Sequence, residues 1–273
     1  MNERFRRIRA VFEFEFDVSF PFPVAEALSI LLGVLVAMGI VMTHRPYATF
    51  LITPSEFGNF IQLEYLVLQV TAADFYMISG PFFSLTVLLI IALPMLCAFR
   101  VAGPLENGVL KAMLSYPIRR EEILILKGIE ILVLICLPIT MGALAMVVLF
   151  SGLSIGIQFL LVIISYWTLA FTILSTSFLL SVITQSSAKA AFAGIALWAV
   201  LLLVGLFAKI PVVLRGIPNP VILTIGYFLG TSIGNGYDRT PVLNDVLVSM
   251  IVNLLIGIII FVASIKYFKR VEI

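Results

Sequence analysis

Apolar runs of about twenty residues recur along this chain, and they decide what it can become. A run of that length is what an α-helix needs to cross roughly 30 Å of hydrocarbon. The runs are continuous rather than alternating, and lipid leaves no partner for an open strand edge, so helices are expected and a β-barrel is not. Of the 273 residues, 62% are hydrophobic and only 12% are charged, about half the charge share of a soluble domain. The expectation is an all-α polytopic membrane protein, one transmembrane domain over 1–273, with six helices across the bilayer.

Those six fall at 24–43, 78–99, from just after Arg120 to 150, 157–183, 190–208 and 243–265. Pro94 and Pro138 lie inside the second and third and are expected to kink them. The first run is longer than the apolar core of a signal peptide and has no A-x-A site behind it, so it reads as a retained helix. A short polar loop, TQSSAK, is expected at 184–189.

Residues 1–20 form an N-terminal interfacial segment. Phe5, Ile8, Phe12 and Phe16 share one helical face, with Arg4, Arg6, Arg7 and Arg9 around the rest, a pattern suited to anionic headgroups. The alternation VFEFEF also fits a strand, and a partly ordered tail is the plainer alternative. Residues 209–241 are broken by Pro211, Pro218, Pro220 and Pro241 yet remain apolar, with Gly226, Gly230 and Gly234 four apart. The part at 220–233 is too short to span and reads as a re-entrant or interfacial helix, with a glycine-softened surface loop as the alternative.

Six crossings put both termini on one side. Thirteen of the 17 basic residues lie on that side, leaving Arg45, Lys209, Arg215 and Arg239 on the other. The positive-inside rule makes the first side, and both termini, cytoplasmic in a multi-pass protein of the cell membrane.

Between the second and third runs lies a charged island, Arg100 to Lys127. An amphipathic helix is expected over 103–116, with Gly103 as N-cap, Pro104 at the first helical position and Glu106 in the first turn, where the dipole favours an acid. Leu105, Val109, Ala112, Met113 and Tyr116 share one face, and Asn107, Gly108, Lys111 and Ser115 the other. Pro117 ends the element.

Motifs for chemistry are few. No GxxxxGK[ST] phosphate loop, HExxH or GxSxG occurs. Cys97 and Cys136 lie in or beside apolar runs without CxxC spacing, so buried thiols are expected rather than a disulfide or metal site. The spans hold almost no ionisable residues of the kind that mark proton pathways. Glu130 follows Lys127 by three residues, which suggests a local ion pair, and Asn253 is expected to bond between helices. A proton-coupled mechanism lacks its parts.

The stretch LENGVLKAMLSYPIRREEILILK at 105–127 resembles the cytoplasmic signature of the type-2 ABC transporter permease family: an acid, a glycine, a leucine pair, S-x-P, a basic residue, then a lysine entering the next span. Glu106, Gly108, Leu110, Leu114, Ser115, Pro117, Arg119 and Lys127 carry the match. The resemblance implies the permease subunit of an exporter, whose helix at 103–116 is a coupling helix docked on a separate ABC ATPase subunit. Its ATPase contacts would be Glu106, Asn107, Gly108, Leu110, Lys111, Leu114, Ser115, Pro117, Arg119 and Arg120, while Leu105, Val109 and Met113 hold it to the bundle. Two ATPase copies and a second permease copy or paralogue complete the implied unit. ATP and Mg would be bound by the ATPase; this chain would be no enzyme and hold no cofactor or metal. The lipid bilayer is its other partner, and nucleic acid is not expected. A secondary transporter or a structural subunit of a membrane complex stays open, as does a membrane enzyme, although no nucleophile, base or metal set converges. The plain reading of the island is an interfacial anchor.

Overall fold

The computed structural model describes residues 30, 33–34, 85–108, 120–150, 157–207, 211, 214, 216–229 and 242–270. All of their regular structure is helical. Helix α1 is Leu85–Glu106, α2 Arg120–Phe150, α3 Ile157–Thr184, α4 Ser187–Phe207, α5 Pro220–Leu229 and α6 Leu243–Arg270. Five of these, all except α5, are long and apolar enough to cross a membrane. Of the expected first crossing at 24–43, only residues 30, 33 and 34 are described, and they are helical. The expected interfacial segment at 1–20 lies outside the described residues.

Helix α3 is the axis of the bundle. Tyr166, Leu169, Ile173, Leu174 and Phe178 are all buried, and α3 packs against α1, α2, α4, α5 and α6. A helix that is apolar all round belongs in such a position. Helix α4 is its opposite. Phe192, Val200 and Leu203 are more than half exposed, an outward apolar face that hydrocarbon would cover.

Glycines set the closest crossings. A Cβ on Gly142 of α2 would sit 2.8 Å from the Gly33 carbonyl oxygen, so these backbones touch. Gly128 leaves room for Phe178 and Phe261, whose rings stack with centroids 6.0 Å apart.

Hydroxyl groups inside the helices are handled locally. Ser165, Ser175, Ser177 and Thr184 each donate to the carbonyl four residues back. That hides the polar group without needing water. A few bonds cross between helices. Trp167 Nε1 donates to Thr140 at 2.9 Å and Trp198 Nε1 to Thr176 at 2.8 Å. Thr172 donates to the Asn253 side chain at 2.6 Å, and Asn253 Nδ2 donates to the Ile217 carbonyl. Asn253 therefore bonds between helices, as its type suggests.

Helix α5 occupies part of the proline-broken stretch. Asn219 is its N-cap, Oδ1 accepting from the Ile222 N–H at 3.3 Å, and Pro220 takes the first helical position. At 10 residues it is about 15 Å long, half a membrane thickness. It is wedged between α3 and α6, with Pro220 through Gly226 buried and Thr224 bonded to Ser165 at 2.6 Å. Over 220–229 the chain is thus a helix and not a loop; Gly230, Gly234 and the rest of 230–241 lie outside the described residues.

Two boundaries move from their expected places. The loop at 184–189 shrinks to Gln185 and Ser186. Gln185 takes the left-handed conformation (φ 51°) that closes α3, and Ser186 opens α4, its carbonyl accepting from the Ala190 N–H. The other change is at the end of α1. Residues Ala98–Ala102 form a π turn that runs straight into Gly103–Glu106, with Ala102 itself helical. Gly103 is therefore not an N-cap: 103–106 is the last turn of α1. The wider π turn shifts the carbonyls that a proline ring would strike, so Pro104 is tolerated there. Helix α1 stops at Gly108, whose φ of +70° is the left-handed geometry of a helix end.

Candidate functional site

Five described helix ends lie at one end of the bundle: the last turns of α1, α3 and α6 and the first turns of α2 and α4. Side chains tie α1, α2, α4 and α6 together. Glu121 in the first turn of α2 accepts from Lys269 in the last turn of α6, with Nζ and Oε1 2.6 Å apart. Acid at a helix start and base at a helix end both match the helix dipoles. Arg100, in the π turn, faces Glu130 of α2 at 4.0 Å, and the Glu130 side chain is only 3% exposed. Lys127 is buried one turn nearer the start of α2. The acid expected to pair locally with Lys127 thus faces α1, across the helices.

Glu106 makes the third tie. It lies two turns beyond Phe99, where the crossing was expected to end. Its Oε2 accepts from both the N–H and the hydroxyl of Ser187, each at 2.9 Å. The carboxylate thereby caps the first turn of α4. At the end of its own helix an acid opposes the dipole; at the start of α4 the same charge is favoured. The Ser187 N–H, the hydroxyls and the nearby Lys189 charge favour the ionised form.

Of the expected contact set, Glu106, Asn107, Gly108 and Arg120 fall within the described residues. Glu106 and Asn107 are exposed and Gly108 partly so, while Leu105 packs on the core. Arg120 begins α2. Leu110, Lys111, Leu114, Ser115, Pro117 and Arg119 lie outside the described residues, as do Val109 and Met113. Sequence reasoning missed Ser187, which it placed in a loop. The signal was present, since a serine pair before the Ala-rich run AKAAFAG is a helix start.

A bundle of long apolar helices, tied by charges at one end, defines a multi-pass helical membrane protein. The family model described as ABC-2 family transporter protein matches residues 24–220. The chain belongs to that family and is a type-2 ABC transporter permease. The matched region contains α1 to α4 and the whole charged island. No curated protein matches the chain.

Proposed function

We propose that this permease is the membrane subunit of an ABC exporter and that the corner from Asn107 to Arg120, just past the Glu106 carboxylate that Ser187 holds, docks on a separate ATPase subunit. Two permeases, identical or paralogous, and two ATPases make the unit, with the cargo path between the permeases. ATP and Mg sit on the ATPases. The docking corner lies in the cytosol, both termini with it, in a cell-membrane protein with six crossings.

The observation that carries this reading is the family match over 24–220, which spans the corner. The charged side chains gathered at the α1–α2 end support it, because a soluble partner needs a polar face to bind. From Ile131 to Ala188 no residue is charged, which suits a permease whose driving force is generated on another subunit. Closure of the ATPase pair on ATP would push the docked corner, and the helices on either side would carry that motion inward.

Pull-down from detergent-solubilised membranes tests the reading. Wild type is expected to bring down a protein with a phosphate-binding loop, and a Leu110→Asp, Lys111→Glu double variant to lose it while eluting normally from a sizing column. If wild type brings down no such protein under conditions that keep membrane complexes intact, the reading fails.

A further inference from the structure

Helices α1 and α4 run antiparallel and touch at three successive levels. Deepest in the bundle, Pro94 sits on Gly194 so closely that a Cβ there would be 2.7 Å from the proline Cβ. Nearer the charged end, Ala98 and Ala102 of the π turn pack with Ala190 and Ala191. At the end itself, Glu106 holds Ser187. The two deeper contacts are made by small or ring-locked residues, which leave little side-chain freedom to absorb a displacement between the two helices; at the end it is the Glu106 side chain that joins them.

We infer that Glu106 is a positioning residue that clamps the end of α1 to the start of α4, so that movement of the docking corner enters the bundle through α4 as well as α2. The inference rests on the permease reading above. Helix α2 follows the corner directly in the chain. Helix α4 does not, and force from the corner reaches it only by contact. Glu106 stands where that contact begins. Its charge opposes the dipole of its own helix and is offset by α4, so it favours the state in which the two helices stay together. With most of its apolar surface turned outward, α4 has fewer packed neighbours to resist such a shift than α3.

The test uses the chain with its co-purified ATPase in three forms: Glu106→Gln, Ser187→Ala, and the pair Glu106→Cys with Ser187→Cys, bridged or not by a short thiol cross-linker. The native Cys97 and Cys136 are buried and do not compete for it. Glu106→Gln and the unbridged pair are expected to keep the ATPase bound, with ATP hydrolysis by the complex lowered about fivefold or more, the range a coupling between sites conveys. Bridging is expected to restore it. Ser187→Ala keeps the backbone donor and loses less. A merely structural contact would not give activity that returns with the bridge. The clamp is overturned by unchanged hydrolysis in both Glu106→Gln and the unbridged pair, by a bridge that forms without restoring activity, or by failure of the bridge to form in membranes. Loss of the ATPase from Glu106→Gln overturns it too, making Glu106 a docking residue. Absence of any ATPase from wild type sinks the permease reading instead, before any substitution is made.

Discussion

The middle of this bundle and its charged end are held together by different forces. In the middle the bonds between helices are neutral: Thr172 to Asn253, Trp198 to Thr176, Ser165 to Thr224. At the end they are ionic or charge-assisted: Arg100 to Glu130, Lys269 to Glu121, Ser187 to Glu106. A charge costs several kcal/mol at the centre of a bilayer, about 2.5–3.5 on insertion scales, and far less near its surface. Neutral bonds make a scaffold that no change of protonation disturbs. The exposed Lys269–Glu121 pair can be re-formed as those helix ends shift, since water can stabilise each partner while they are apart. The interior is thus joined by neutral bonds and the end by charged ones.

The sharpest way to break that contrast lies at its boundary. Arg100→Ala would remove the positive charge that faces the buried Glu130 carboxylate from α1 at 4.0 Å. A loss of stability approaching about 3–5 kcal/mol is expected, as for breaking a buried pair, read as the midpoint of denaturant titration in detergent. The double variant Arg100→Met, Glu130→Leu should recover most of it. In the interior, Gly142→Leu drives a side chain into the backbone of Gly33, 2.8 Å from its added Cβ. Rotamer changes cannot relieve that, so about 1–3 kcal/mol of overpacking is expected, seen as a smaller monodisperse peak on size exclusion. Asn253→Leu removes the bond to Thr172 of α3 and the bond to the Ile217 carbonyl in the turn before α5 and should cost about 0.6–2 kcal/mol, with a lower melting temperature that does not depend on salt. Lys269→Ala breaks a pair whose side chains are 48% and 38% exposed. It should cost under about 1 kcal/mol, and the difference from wild type should shrink further in high salt. If Asn253→Leu proved salt-sensitive and Lys269→Ala did not, the contrast would be wrong.

The described crossings were legible because each is flanked by a charge, a proline or a short glycine- and serine-containing stretch such as SGLSIG at 151–156. Helices α2 and α3 lie within a residue of their expected limits. The errors cluster at the charged end, where local signals compete. Gly103-Pro104 reads as a helix start, and only the preceding π turn lets the same pair continue α1. Glu106 reads as a first-turn acid, which is correct for a helix start, but the start it serves is that of α4, eighty residues further along the chain. No periodicity carries a long-range cap of this kind. The Arg100–Glu130 contact was hidden similarly, since Lys127 offers a nearer base in sequence. Family resemblance located the corner, whereas its internal wiring needed the fold.

The central claim is that the charged end, and not the apolar surface, meets the ATPase. The most direct test places a photo-reactive residue at position 111, and in a second variant at position 203 on the exposed face of α4, followed by illumination of intact membranes. The expected result is a covalent adduct at 111 whose partner, identified by mass spectrometry, carries a phosphate-binding loop, with no such adduct at 203. An adduct with that partner at 203 and none at 111 would contradict the account.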